Sequence, residues 1–177
     1  MWMRRSSAPI STPPAPAGTA LLGGEAQARE ALGRSQGGFS TKLHLRAEGN
    51  GRPLTAVLTG GERHEQIALE VLLDQGAIRR PGRGRPRLRP RRAAGDKSYS
   101  SPTARGQLRR RHIRAVIPSK SNQRRQPNFD RAAYRRRNLV ERLINRLQQF
   151  RRIATRYEKR AANYLAMAHI GMLLLWL

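Results

Sequence analysis

Cysteine is absent from the chain, which rules out disulfides, thiolate nucleophiles and cysteine-type zinc sites. Long apolar runs are absent too. The most hydrophobic stretch, YLAMAHIGMLLLWL, is too short to span a bilayer and contains His169 and Gly171; a buried terminal helix is expected. Arg4 and Arg5 are followed by no apolar segment of the kind a secretory signal needs, so a cytoplasmic protein is expected. No glycine-rich phosphate loop, Ser-His-Asp set or Cys/His cluster occurs, and His44, His64, His112 and His169 share no metal-binding spacing.

Acidic residues are the other scarcity. Only 11 Asp and Glu oppose 36 Lys and Arg over 177 residues, a formal net charge of +25. Such a chain repels itself unless a polyanion neutralises it, so nucleic acid is the expected partner. RNA, DNA and an anionic membrane surface all satisfy the charge alone. Arginine supplies most of it, which favours bidentate phosphate recognition.

Periodicity organises what is there. Residues 1–37 are rich in Pro, Ala, Gly and Ser without a period, which predicts coil, with a short helix over Glu25–Leu32. From Thr41 the residues alternate, Leu43 and Leu45 on one face, Lys42, His44 and Arg46 on the other. A Gly/Asn turn, EGNGRP, and a second strand, PLTAVLT, complete a hairpin from Thr41 to Thr59. RHEQIALEVLLDQG predicts a helix with Ile67, Val71 and Leu72 on one face and Gly76 at its C-terminal cap. Segment 79–92 is nearly all Arg, Pro and Gly, a phosphate-seeking loop. RAAGD and IRAVI predict short strands around a basic helix, TARGQLRRRH. From Phe129 onward the chain predicts helix with a break near Arg151–Thr155. An α/β fold with a single sheet follows.

Two of the few carboxylates stand where chemistry can be done. Asp96 ends a short apolar strand, the place where open α/β sheets carry functional groups. Glu141 lies in YRRRNLVERLINRLQQF. At about 100° per residue, Arg137, Glu141 and position 148 fall within roughly 60° of Tyr134. Leu139, Val140, Leu143, Ile144, Leu147 and Phe150 fill the opposite side. Tyr134, Arg137 and Glu141 therefore share an outward stripe. On pattern alone the commoner reading of Arg137 and Glu141 is an i,i+4 ion pair, and that of Asp96 a solvated loop residue. Asp74 and Asp130 read as helix-end and capping residues.

Three blocks, GGFSTKLHLRAEGNGRPLTAVLTGGERHE, RRAAGDKSYSS and AYRRRNLVERLINRLQQFRRIATRYEKRAANYLAMAHI, resemble the DDE transposases of bacterial insertion sequences, in the insertion sequence five branch. The resemblance covers about residues 30–177. It implies a ribonuclease H-like fold, a mixed sheet with flanking helices, whose acidic residues hold a pair of Mg²⁺ ions for DNA cleavage and strand transfer. Hard carboxylates suit Mg²⁺, and two metals stabilise both attacking and leaving oxygens. The implied partners are element terminal inverted repeats and target DNA, with self-association left open, no membrane, and a nucleoid location. Position by position, Asp96 matches the second acidic ligand. Glu141 matches the third, within Tyr-x₂-Arg-x₃-Glu-x₆-Lys, and Tyr134 and Arg137 match that signature's first two residues. The expected DNA-facing set is Lys42, Arg83, Arg85, Lys97, Arg110, Arg111, Tyr134 and Arg137.

Two departures matter. Gln148 stands where the signature has Lys. The family's first catalytic Asp precedes GGFSTK, in a segment resembling Val-Asp-x-(Ser/Thr)-x-Val-Arg-Ala-His, and no Asp occurs before Asp74. The genetic code suggests a reason. Met1-Trp2-Met3 has one possible coding sequence, ATG TGG ATG, which read from its third base gives Val-Asp. Codon choices exist that extend the shifted reading through Ala-Ser-Ile-Val-Arg-Ala-His. Residues 1–30 are thus expected to be disordered and largely out of frame, joining the family's frame near Gly18–Gly24. Residues 31–177 are expected to form a truncated catalytic domain, its first strand missing or out of frame. A broken gene copy and a programmed frameshift both produce this arrangement. The expected product is a transposase fragment inactive alone, its Mg²⁺ site impaired. The alternative is a catalytically dead, Arg-rich nucleic-acid-binding protein. An open sheet edge would also threaten stable folding.

Overall fold

The alternating segment that begins the predicted hairpin becomes the hub of a six-stranded sheet. The computed structural model describes residues 2–9, 29–35, 38–79, 82–124 and 126–177. Its strands are β1 (Trp2–Pro9), β2 (Gly33–Ser35), β3 (Gly38–Ala47), β4 (Pro53–Gly60), β5 (Arg92–Gly95) and β6 (Arg114–Val116). The order is β2–β3–β1–β5–β6, with β4 also paired to β3. β1 lies antiparallel to β3 from Trp2 opposite Ala47 to Pro9 opposite Ser40. It lies parallel to β5 through Trp2 opposite Ala94 and Met3 opposite Gly95. β5 and β6 are also parallel.

This corrects the expectation for the opening segment. Trp2–Pro9 is neither coil nor a missing strand but an inner strand of the sheet. β3 and β5 each present a row of backbone donors and acceptors, and ladder hydrogen bonds are blind to side-chain identity. The place in the sheet is therefore set by the neighbours. The proposed junction near Gly18–Gly24 and the first half of the helix expected over Glu25–Leu32 lie outside the described residues.

Six helices cover the sheet among the described residues: α1 (Gln66–Asp74), α2 (Pro102–Arg110), α3 (Arg131–Arg135), α4 (Asn138–Gln148), α5 (Arg151–Ala154) and α6 (Ala161–Leu174). Strand alternation divides the core in two. On one face, Leu43, Leu45, Ala94 and Val116 pack with Val140, Leu143, Ile144 and Leu147 of α4 and with Ala168 and Met172 of α6. On the other, Ala93 and Ile117 pack with Leu69 and Leu73 of α1, Tyr99, and Ala104 and Leu108 of α2. A sheet covered on both sides has no polar face. Lys42, His44 and Arg46, expected on an outward face, are accordingly buried.

Local signals explain most boundaries. Gly76 follows α1 at φ +73°, where an added Cβ would meet Leu54 and Thr55 at 3.2–3.3 Å; it is the expected C-terminal glycine. Ser101 accepts from Ala104 N to cap α2, and Asp130 accepts from Ala133 N to cap α3. The buried stripe of α1 is Ala68, Leu69, Leu72 and Leu73. Ile67 and Val71, expected on the face of Leu72, are instead 54% and 40% exposed.

The helical break has a cause that periodicity did not show. Phe150 and Thr155 are extended on either side of α5, and Arg156 turns wholly inward. Its Nη1 donates to Glu30 O at 2.8 Å and Thr41 Oγ1 at 2.6 Å, its Nε to Glu158 O at 2.9 Å, and its Nη2 to Lys159 O at 3.0 Å. A buried guanidinium needs such acceptors, and residues 155–160 supply them only by leaving the helix. Tyr164 lies 5.6 Å beneath it and donates to Ile153 O at 2.7 Å; burial pushes its phenol up to about 12. The terminal helix is buried on one face only. Tyr164, Ala168, Gly171 and Met172 face the core, while His169, Ile170, Leu173 and Leu174 remain exposed.

Candidate functional site

β5 ends abruptly because Asp96 starts a 3₁₀ turn, Lys97–Tyr99. The Asp96 Oδ1 accepts from Ser98 N at 2.8 Å and from the Ser98 hydroxyl, and the residue is half-buried. Tyr99 drops into the core with its hydroxyl 3.5 Å from His44 Nδ1, and His44 Nε2 lies 2.8 Å from Thr59 Oγ1. β1 runs alongside. Met3 pairs with Gly95, so one further step of the register sets position 4 beside Asp96. That position is Arg4. No residue of β1 is an Asp or a Glu.

Glu141 stands on a different element, on the helical cover of the sheet. It occupies the first turn of α4, a helix that packs on β1. Its Oε1 is 2.7 Å from Arg137 Nη2, both side chains being about a quarter exposed, at 29% and 25%. The Arg137 guanidinium lies 5.2 Å from the centre of the Tyr134 ring, which sits 5.4 Å from the Phe129 ring. The structure thus brings Tyr134, Arg137 and Glu141 into one stacked row. It does so across a join between α3 and α4, because Arg137 keeps helical dihedrals there.

The basic residues separate by environment. Arg83, Arg85, Lys97 and Arg110 are exposed, as is Gln148. Arg111 is held against Asp74 and, at 3.4 Å, Glu70; its hydrogen bond keeps the Asp74 carboxyl below the usual range. Lys42 does not belong in a DNA-facing set. Its ammonium donates to Arg63 O at 2.6 Å and lies 3.5 Å from Glu65, and the residue is only 8% exposed. A lysine packed on a doubly covered sheet has spent its charge internally.

Sequence reasoning missed the structural arginines. Arg46 donates to the carbonyls of Leu72, Leu73, Gln75 and Leu88, and burial lowers its pKa. Arg105 donates to Ser100 O and Ile117 O. With 36 Lys and Arg in the chain, an inward arginine hides among many. The one available clue was the position of Arg46 in a strand that needs cover on both faces.

The fit to a metal pair is poor. Asp96 and Glu141 offer the hard oxygens that Mg²⁺ takes, yet one is engaged with Ser98 and the other with Arg137. Among the described residues no three His, Cys, Asp or Glu cluster to hold a metal. Among the described residues, the side chains around Asp96 and Glu141 do not assemble a two-metal centre.

A carboxylate ending an inner strand, a second on a covering helix and a large arginine excess define a strongly basic α/β domain. The chain belongs to the transposase DDE domain family, whose model matches residues 9–177. That match begins earlier than the residue near 30 at which the family resemblance was expected to start. A Burkholderia cepacia protein assigned as a transposase for the insertion sequence element IS402 is 34% identical over 135 residues, covering 76% of this chain and 62% of that protein. The chain therefore aligns with about three-fifths of that relative. Among the described residues, no helix is long and apolar enough to cross a membrane.

Proposed function

We propose that the chain is an insertion-sequence transposase domain of ribonuclease H-like fold that binds DNA and does not cleave it unaided. One observation carries this reading: β1 fills the inner strand beside Asp96 and brings no carboxylate with it. The sheet order supports the fold assignment, with antiparallel β4, β3 and β1 followed by parallel β5 and β6. The donor set among the described residues does not fit a metal pair. The chain's own residues bind. Arg83, Arg85, Lys97 and Arg110 present exposed cations to phosphates, and Arg137, on the family signature, is steadied by Tyr134 and Glu141.

The shifted-frame origin of the opening segment is part of the same proposal. β1 reads WMRRSSAP, a polar strand containing proline at a place where inner strands are apolar. Such a mismatch between local sequence and global fold marks a segment not selected for its position.

Binding is tested by fluorescence anisotropy of a labelled DNA duplex across a salt series. The affinity is expected to fall steeply, by about 0.9 log units per phosphate contact for each tenfold rise in salt. Absent or salt-independent binding would refute the proposal.

A further inference from the structure

Three recesses meet at the β3–β4 turn. One, of about 420 Å³, is lined by Arg46, Glu48, Arg87, Arg91 and Arg92. A second, of about 450 Å³, shares Gly49 and Arg92 with it and adds Asp130 and Arg136. A third, of about 530 Å³, shares Gly49 and Arg136 with the second and adds Arg135 and Arg142. Shared walls make the three one continuous groove, curving past the turn from the Arg-rich segment to the start of α4.

Its charge is positive and incompletely answered. The two acids in the walls are engaged: the Glu48 Oε1 accepts from Asn50 N and Arg52 N, and Asp130 holds Arg92 at 3.0 Å and Ala133 N at 2.8 Å. None of Arg91, Arg135, Arg136 and Arg142 is ion-paired among the described residues. The N-terminus of α4 adds the positive end of a helix dipole through Asn138.

We propose that this groove takes the sugar-phosphate backbone of a nucleic acid, as a contact surface beyond the exposed cations Arg83, Arg85, Lys97 and Arg110. The positive charge is spread over three adjoining recesses, which suits a chain of phosphates better than one small anion. The groove passes Arg92, the first residue of β5, four residues and therefore about 13 Å along the strand from Asp96. A duplex lying in it would reach both ends of β5. The inference rests on the DNA-binding reading above and assigns it a location.

Two charge-matched quadruple variants test it, each first checked for folding by thermal melting. The groove variant is R87A/R91A/R136A/R142A. The control, R34A/R63A/R152A/R160A, removes four exposed arginines elsewhere on the surface. Against a labelled duplex in about 0.1 M salt, the groove variant should bind on the order of 30-fold more weakly. Its salt slope should shrink by about 3, near the roughly 0.9 expected per lost phosphate contact, while the control stays within about threefold of the native chain. Equal losses in both variants would assign the effect to net charge and overturn the groove. A groove variant that binds like the native chain would overturn it too, leaving DNA binding itself intact. A native chain that binds no duplex would overturn both readings. If the quadruple groove variant fails to fold, R91A/R136A is read the same way, with about half the slope change.

Discussion

Replacing Trp2–Pro9 with Val-Asp-Ala-Ser-Ile-Val-Arg-Ala is expected to raise the melting temperature by about 5–10 °C, from roughly 2–3 kcal/mol of added stability. β1 lies between β3, buried from Ser40 to Ala47, and β5, buried from Ala93 to Gly95. α4 packs on it. A strand so placed gains most from apolar residues, and Arg4, Arg5, Ser6, Ser7 and Pro9 supply few of them. Pro9 also lacks the N–H that a ladder uses. The replacement brings Val, Ile and Val to positions 2, 6 and 7, removes the proline, and places a carboxylate opposite Gly95. Calorimetry of the two chains decides the matter. A melting temperature that falls or stays unchanged would mean the native strand is already suited to its position.

Arg46→Met should be among the most damaging single substitutions, lowering stability by about 3 kcal/mol. The guanidinium satisfies the last carbonyls of α1, where a helix leaves acceptors unpaired, and fastens Leu88 of the Arg-rich segment to the core. Leaving buried carbonyls without donors costs about 1–3 kcal/mol each. Losing a desolvated charge returns part of that. Arg46→Lys should rescue little, because one ammonium cannot span acceptors on both α1 and the segment at Leu88. Denaturant midpoints give the stability change, and hydrogen exchange over residues 82–91 reports whether that segment has come loose. A native-like midpoint with unchanged exchange would show that Arg46 is not an anchor.

The two arginine populations show why a sequence gives only part of such a structure. Strand alternation in TKLHLRA predicted the hairpin, and the stripe of Tyr134, Arg137 and Glu141 was visible by helical arithmetic because each depends on neighbours a few residues away. The buried roles of Lys42, Arg46 and Arg156 depend on acceptors as distant in sequence as Glu30 is from Arg156. No local period encodes that. The same limit applies to β1. Its residues carry no strand signal, and its place follows from pairing with β3 and β5. The exposed face of α6 was missed for a related reason: YLAMAHIGMLLLWL is apolar all round, so composition could not say that one side stays uncovered.

The most direct measurement incubates the purified chain with DNA carrying the element's terminal inverted repeats, in buffer with Mg²⁺, and resolves the products on a denaturing gel beside a binding assay. The account predicts a retarded complex and intact strands for the native chain, with nicking gained by the chain whose Trp2–Pro9 segment has been replaced. Nicking by the native chain that is abolished by Asp96→Asn or Glu141→Gln would contradict it, because two carboxylates would then suffice.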